Sequence, residues 1–338
     1  MPLEKNKRQL TVRTAPKKAW GGLKTGYILL WSAFILGVSL TLCGCGRSNA
    51  EPVSGALIKQ SLKLDTLIGD LNGEAKTVLA VSDEAATMDI TPDYKAKPGR
   101  RTLYNLLLTA KEPLGHTMYV WGGGWNEEDT AAGEEARSIG ESPRWREFAD
   151  MQGRSYNYQN TRYQIHDGLD CSGYVGWVVY NVFENTDGNP GYVEKATGMA
   201  ESFASNGWGT YVPSYHVTDW KPGDIMSMKG HVWISLGMCE DGSVVLLHAS
   251  PPGVILNGTR LKGGGKSQAI ELAEYYMQTY YPEWYEKYPD CSKENFYLTR
   301  SAQMRWNRET LADEEGIAEM TAEEVLELLF LAEAFNEK

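Results

Sequence analysis

Cysteine is scarce in this chain, with five in 338 residues, and two of them, Cys43 and Cys45, lie in an N-terminal leader. The remaining Cys171, Cys239 and Cys291 are too few for a disulfide scaffold. Only Cys239 and Cys291 are candidates for a bridge, and both fit equally well as unpaired thiols. Metal-ligand spacing is also missing. No cysteine pair outside the leader is closely spaced, and no two of His116, His166, His216, His231 and His248 lie four apart on a helix, so neither a metal nor another cofactor is expected. Basic side chains are in deficit, 33 against 44 acidic, for a formal charge of −11. Residues 1–44 hold seven basic residues and Glu4, so the rest of the chain carries −17. Such a surface repels phosphate backbones, which argues against nucleic acid as a partner and leaves substrate capture to pocket contacts. There is no internal repeat and no low-complexity segment.

Aromatic residues are abundant, 11 Trp and 19 Tyr, and a hydrophobic fraction of 42% is enough for one sizeable core. At the N-terminus, Lys5, Lys7, Arg8, Arg13, Lys17, Lys18 and Lys24 precede an uncharged apolar stretch, Gly26 to Leu42, that ends in Leu42-Cys43-Gly44-Cys45-Gly46. That is an export signal. With Leu42 three residues before it and Gly44 one before, Cys45 suits the diacylated cysteine of a bacterial lipoprotein, and Cys43 suits it less well. An uncleaved membrane anchor is the other reading, although the apolar stretch is marginal for spanning a bilayer. Either way the chain is expected outside the cytoplasm, tethered to the cell membrane.

The chemistry concentrates at Asp170-Cys171-Ser172-Gly173. From Cys171 onward, Tyr174, Val175, Val178, Val179, Val182 and Phe183 recur at helical steps, until Asn185-Thr186-Asp187-Gly188-Asn189-Pro190-Gly191 breaks the pattern. Cys171 is therefore expected at a helix N-terminus, where free N–H groups and the macrodipole favour a thiolate. Pro222-Gly223-Asp224 turns into a strand, and Gly230 to Gly237 reads as a second strand carrying His231. Asp241-Gly242 then signals a hairpin whose return strand ends in His248. A two-residue loop would set His248 opposite Ser235, too far along the strand to reach His231. A wider loop, Cys239 to Gly242, or an equivalent bulge sets it opposite Trp233, diagonal to His231 on one face. In that geometry Cys171 is the nucleophile, His231 its base and His248 the residue that orients the imidazole.

Together with Tyr119-Val120-Trp121-Gly122-Gly123 upstream and His248-Ala249-Ser250 downstream, these elements occur in an order that resembles the NlpC family of papain-like bacterial cell-wall cysteine peptidases. The resemblance covers about residues 101 to 260. It implies an α+β papain-like domain with a central antiparallel sheet and the nucleophile-bearing helix packed on it. The implied activity is hydrolysis of peptidoglycan stem peptides through Cys-His-His, commonly between D-γ-glutamate and the diamino acid. Tyr119, Asp170 and Ser172 match positions that line the substrate site, the latter two near a stem peptide's free amino end. The chain departs from the family between Trp-Gly-Gly and the nucleophile, where Gly124 to Leu169 intervene, and a lid or specificity role is expected for them. The other readings are an N-acetylmuramoyl-alanine amidase or another thiol acyl-transfer enzyme, and a non-catalytic wall-binding module.

The expected organisation is a leader or anchor over 1–45, a tether over 46–100, a catalytic domain over 101–305 with an insertion at 125–168, and a helical tail over 306–338. Within it, Leu103 to Leu114 reads as a helical stripe, Glu271 to Trp284 as an aromatic helix and Phe296 to Met304 as a strand. Thr321 and Glu324 read as a capping box that opens a helix docked on its own domain.

Overall fold

Strand-forming sequence clusters between Ile225 and Thr259, where four strands follow one another with short connections. They are β4 (Ile225–Met228), β5 (His231–Met238), β6 (Val244–Ser250) and β7 (Gly253–Thr259). Gly230, at φ 76°, turns β4 into β5, and the cis Pro251-Pro252 bond lies in the turn from β6 to β7. The computed structural model describes residues 95–183 and 190–336. The leader with Cys45, and the tether up to residue 94, lie outside the described residues.

Five further strands complete the sheet: β1 (Met118–Tyr119), β2 (Gly168–Leu169), β3 (Gly209–Val212), β8 (Ser292–Lys293) and β9 (Ala302–Trp306). The order is β2-β1-β7-β6-β5-β4-β9-β3, with β8 parallel to β7. All pairings are antiparallel except β1 with β2 and β7 with β8. The fold is thus mixed α and β, a mainly antiparallel sheet with helices packed on it.

Both faces of the central strands are covered, which is why they read as near-continuous apolar runs. One face presents Val232, Ile234, Leu236, Val245, Leu247, Val254 and Leu256 to the main core. There it meets α1 (Leu103–Lys111), α3 (Cys171–Phe183), α5 (Gln268–Tyr280) and α8 (Ala322–Asn336). The other face carries Met226, Met228, Trp233, Val244 and Leu246 under Tyr297 and Leu298 of the short α7 (Phe296–Arg300). Every residue of α3 is buried. Its four valines lower intrinsic helix propensity, and tertiary packing overrides that cost.

Two helix boundaries differ from the sequence expectation. Glu271 to Trp284 is two helices, because the residue before Pro282 is driven out of the helical region. Tyr281 sits at φ −131°, ψ 53°, between α5 and α6 (Pro282–Lys287). Phe296 to Met304 begins as α7 and becomes strand only at Ala302, since Tyr297 and Leu298 are needed as a cover over the sheet rather than a rung within it. Another helix, α4 (Met199–Ser205), packs beside β3, β4 and β9.

Residues 125–168 form a folded wall. It holds α2 (Pro143–Asp150) and two 3-10 turns, Glu135–Arg137 and Tyr158–Asn160. Trp145 of α2 is fully buried and meets Trp177 of α3 edge to face, 5.5 Å between centroids. His166 bonds to Glu135 inside the wall, and His116 bonds to Glu141 at 2.8 Å, tying the wall to the segment before β1.

Candidate active site

Asp170 fixes the start of α3. Its carboxylate accepts from the Gly173 N–H at 2.7 Å and from the Ser172 hydroxyl at 2.8 Å, an N-cap that leaves Cys171 as the first helical residue. The helix start lies directly against the Tyr119 segment. A Cβ on Gly173 would sit 2.0 Å from the Gly123 carbonyl oxygen, and one on Gly124 would sit 2.6 Å from the Gly173 Cα. Glycine is required on both sides of that contact.

The sulfur is met by a break in the sheet. β5 and β6 pair from Met238↔Val244 down to Ile234↔Leu247 and stop there. Beyond that point the Val232 N–H is free of the ladder and lies beside the Cys171 sulfur, where it favours the ionised form. The neighbouring His231 and the His248 of β6 are on the opposite sheet face from Val232, so the sulfur meets the backbone of β5 one residue from His231.

The imidazoles form a chain. His231 Nε2 and His248 Nδ1 are 2.7 Å apart, and His248 Nε2 lies 2.7 Å from Asn257 Oδ1. The Asn257 amide nitrogen donates in turn to the Asp290 carbonyl at 3.3 Å. Since an amide oxygen only accepts, His248 carries its proton on Nε2 and accepts at Nδ1 from His231 Nε2–H. That assignment leaves His231 Nδ1 as a lone-pair base, and among the described residues no other group holds it.

The register behind this contact combines both devices expected from sequence. The loop Cys239–Ser243 is one residue longer than a four-residue turn, and a bulge between Ser235 and Gly237, with Gly237 at φ 108°, takes up the surplus. Ile234 then faces Leu247, which sets His248 level with Trp233.

Burial dominates the electrostatics. Cys171 is 6% exposed and His248 fully enclosed. Burial, aided by the Asp170 charge, pushes the Cys171 thiol up to about 12. The N–H groups of Val232, Ser172 and Cys171 pull it down by less. Burial, and then the Lys293 charge, lowers His231 to about 3 and drives His248 well below the usual histidine range. The resting pair is therefore neutral thiol and neutral imidazole, not the thiolate expected from the helix N-terminus alone. Three backbone N–H groups do not replace the water that the sulfur has lost.

Tyr119 lies beside Cys171, buried, and desolvation holds its hydroxyl protonated. The wall closes around it: Tyr158 meets its ring edge-on at 5.4 Å, and the Tyr156 hydroxyl donates to its carbonyl at 2.7 Å. Ser172 accepts from Trp125 Nε1 at 3.1 Å while donating to Asp170, so both flanking residues are engaged in building the helix start. His116 and His166 anchor the wall, and His216 is exposed. Cys239 and Cys291 are both unpaired and buried.

Three site residues escape the sequence reading. Asn257 had one signal, an amide inside the apolar run Gly253-Val254-Ile255-Leu256. Tyr297, whose ring lies 5.5 Å from His231 and 6.0 Å from His248, and Lys293 lie far downstream of every motif. Two cavities, of about 190 Å³ near Asp224 and Arg305 and about 350 Å³ near His116 and Glu141, do not border the Cys171 site.

Compared with protein-family models, curated proteins and solved structures, the chain matches none.

Proposed function

We propose that this chain is a papain-like cysteine peptidase, exported and held at the bacterial cell membrane, that hydrolyses peptidoglycan stem peptides at the D-γ-glutamyl–diamino acid bond. The observation that carries the reading is the hydrogen-bonded chain from His231 through His248 to Asn257, beside which Val232, the residue after His231, meets a thiol at the start of a helix. A hydrogen-bonded base with an orienting partner is the arrangement that nucleophilic acyl transfer needs.

In this mechanism, attack and proton transfer are concerted. As Cys171 Sγ bonds to the scissile carbonyl carbon, its proton passes to His231 Nδ1, and His248 holds the ring in place. The Cys171 backbone N–H donates to the developing oxyanion. Collapse of the adduct breaks the C–N bond, and His231 returns the proton to the leaving amine. Water, activated by the same imidazole, then hydrolyses the thioester. Leaving-group protonation and attack both run through His231, so loss of this one ring should cost about 100-fold or more.

The test is to incubate purified protein with defined muropeptides and mass-map the products. Cleavage within the stem, lost in Cys171→Ala with binding retained, is the expected result. Release of the whole stem from the glycan would assign an amidase instead, and binding without turnover a wall-binding module.

A further inference from the structure

Two imidazoles joined by one hydrogen bond are not yet fixed in orientation. The χ2 torsion of histidine is broad, so the 2.7 Å contact from His231 Nε2 to His248 Nδ1 keeps the His231 ring from flipping but leaves its tilt open. His248 is held at both nitrogens, by His231 and by Asn257. His231 is held at one. Its tilt decides where Nδ1 points, so a packing surface must bear on the ring.

That surface is the ring of Tyr297. Its centroid lies 5.5 Å from that of His231 and 6.0 Å from that of His248, at interplanar angles of 70° and 77°. One phenol ring thus meets both imidazoles edge to face, the arrangement in which aromatic rings attract. Trp233, two residues after His231 and so on the same sheet face, closes the group with its ring 6.2 Å from Tyr297.

Tyr297 is itself anchored. The helix α7 is tied at both ends: Asn295 Nδ2 donates to the Arg260 carbonyl at 3.1 Å, and the Ser301 hydroxyl accepts from Trp233 Nε1 at 3.1 Å. The side chain is buried under its own helix, and burial pushes its hydroxyl up to about 12. The phenol therefore stays neutral at working pH and acts through its ring rather than as an acid or base.

We propose that Tyr297 is a positioning residue whose aromatic ring fixes the tilt of His231 and so aims Nδ1, the atom that takes the proton. The hydroxyl has no part in this. The kinetic consequence rests on the peptidase reading given above; the hold of the ring on the imidazoles does not.

Kinetics on a defined muropeptide and NMR of the histidine rings test the two parts separately. Tyr297→Leu is expected to lower kcat about tenfold or more with KM nearly unchanged, because a misdirected base costs the transition state and not ground-state binding. Tyr297→Phe should restore most of that loss. In the NMR spectra the His231 Nε2–H proton should exchange several-fold faster with water in Tyr297→Leu, and close to the wild-type rate in Tyr297→Phe. Leu298→Ala removes apolar contact from the same helix and should lower the melting temperature without speeding that exchange. Tyr297→Met, which fills the space with a flexible chain, takes the place of the leucine variant if that does not fold. Unchanged exchange in the leucine or methionine variant, equal acceleration in Leu298→Ala, or a phenylalanine variant as impaired as the leucine one overturns the proposal. If the wild-type protein cuts no muropeptide while exchange still follows the ring, the positioning role stands and the peptidase reading fails.

Discussion

Cys171 and His231 differ from the picture of a thiol activated at rest. With the thiol pushed up to about 12 and the imidazole lowered to about 3, both are neutral across the physiological range. Far below the thiol's pKa the thiolate fraction grows tenfold per pH unit, so alkylation by iodoacetamide should accelerate roughly tenfold per unit between about pH 6 and 9. Stopped-time mass spectrometry of the Cys171 peptide reads this directly. A flat rate from about pH 5 to 8 would mean a resting thiolate–imidazolium pair and would contradict the burial argument. At this scale Cys171 and both histidines were legible because short motifs surround them. Asn257, Tyr297 and Lys293 were not. Their roles depend on which strand lies beside which, information that no local pattern carries.

The element that sets the site is α3, and its position depends on backbone contact at Gly173. Alanine normally stabilises a helix by about 1 kcal/mol over glycine. Here a methyl group would meet the Gly123 carbonyl oxygen at 2.0 Å, so the ordinary sign should reverse. Gly173→Ala is expected to destabilise by about 1–3 kcal/mol, the range of overpacking, and to lower turnover by displacing the sulfur from Val232. Thermal denaturation and kcat measured together check both parts, and an unchanged melting temperature would show that the contact yields easily. The helical period of α3 was readable despite its valines because burial on all sides rewards them. The strand misread at Phe296 shows the limit, since aromatic and β-rich sequence serves equally well as the cover of a sheet.

The tail is structural at the scale of the molecule. Thr321 and Glu324 cap α8 reciprocally, the Thr321 N–H donating to Glu324 at 2.8 Å and the Glu324 N–H to Thr321 at 3.3 Å. Val325, Leu326, Leu329 and Phe330 are buried, and the Lys111 ammonium donates to the Leu329 carbonyl at 2.6 Å. Four such side chains at ~1.5–3 kcal/mol each approach the whole stability of a typical domain. Removing residues 321–338 should therefore abolish cooperative unfolding in calorimetry. A truncated protein that melts sharply within a few degrees of the full chain would show that the tail is dispensable. The docked helix was legible from its cap and apolar face. The order of nine strands was not, because β1, β2 and β8 are two-residue pairings set by what packs around them.

The bulge at Gly237 reaches beyond local geometry. Were Leu236 drawn into the ladder, the partner of His248 would become Ile234, and its ring would swing into the apolar interior. A single unmatched residue, some distance from any reacting atom, thus decides whether the two imidazoles share a side at all. Lengthening or shortening this hairpin by one position is therefore a change to the chemistry, even where it leaves the domain folded.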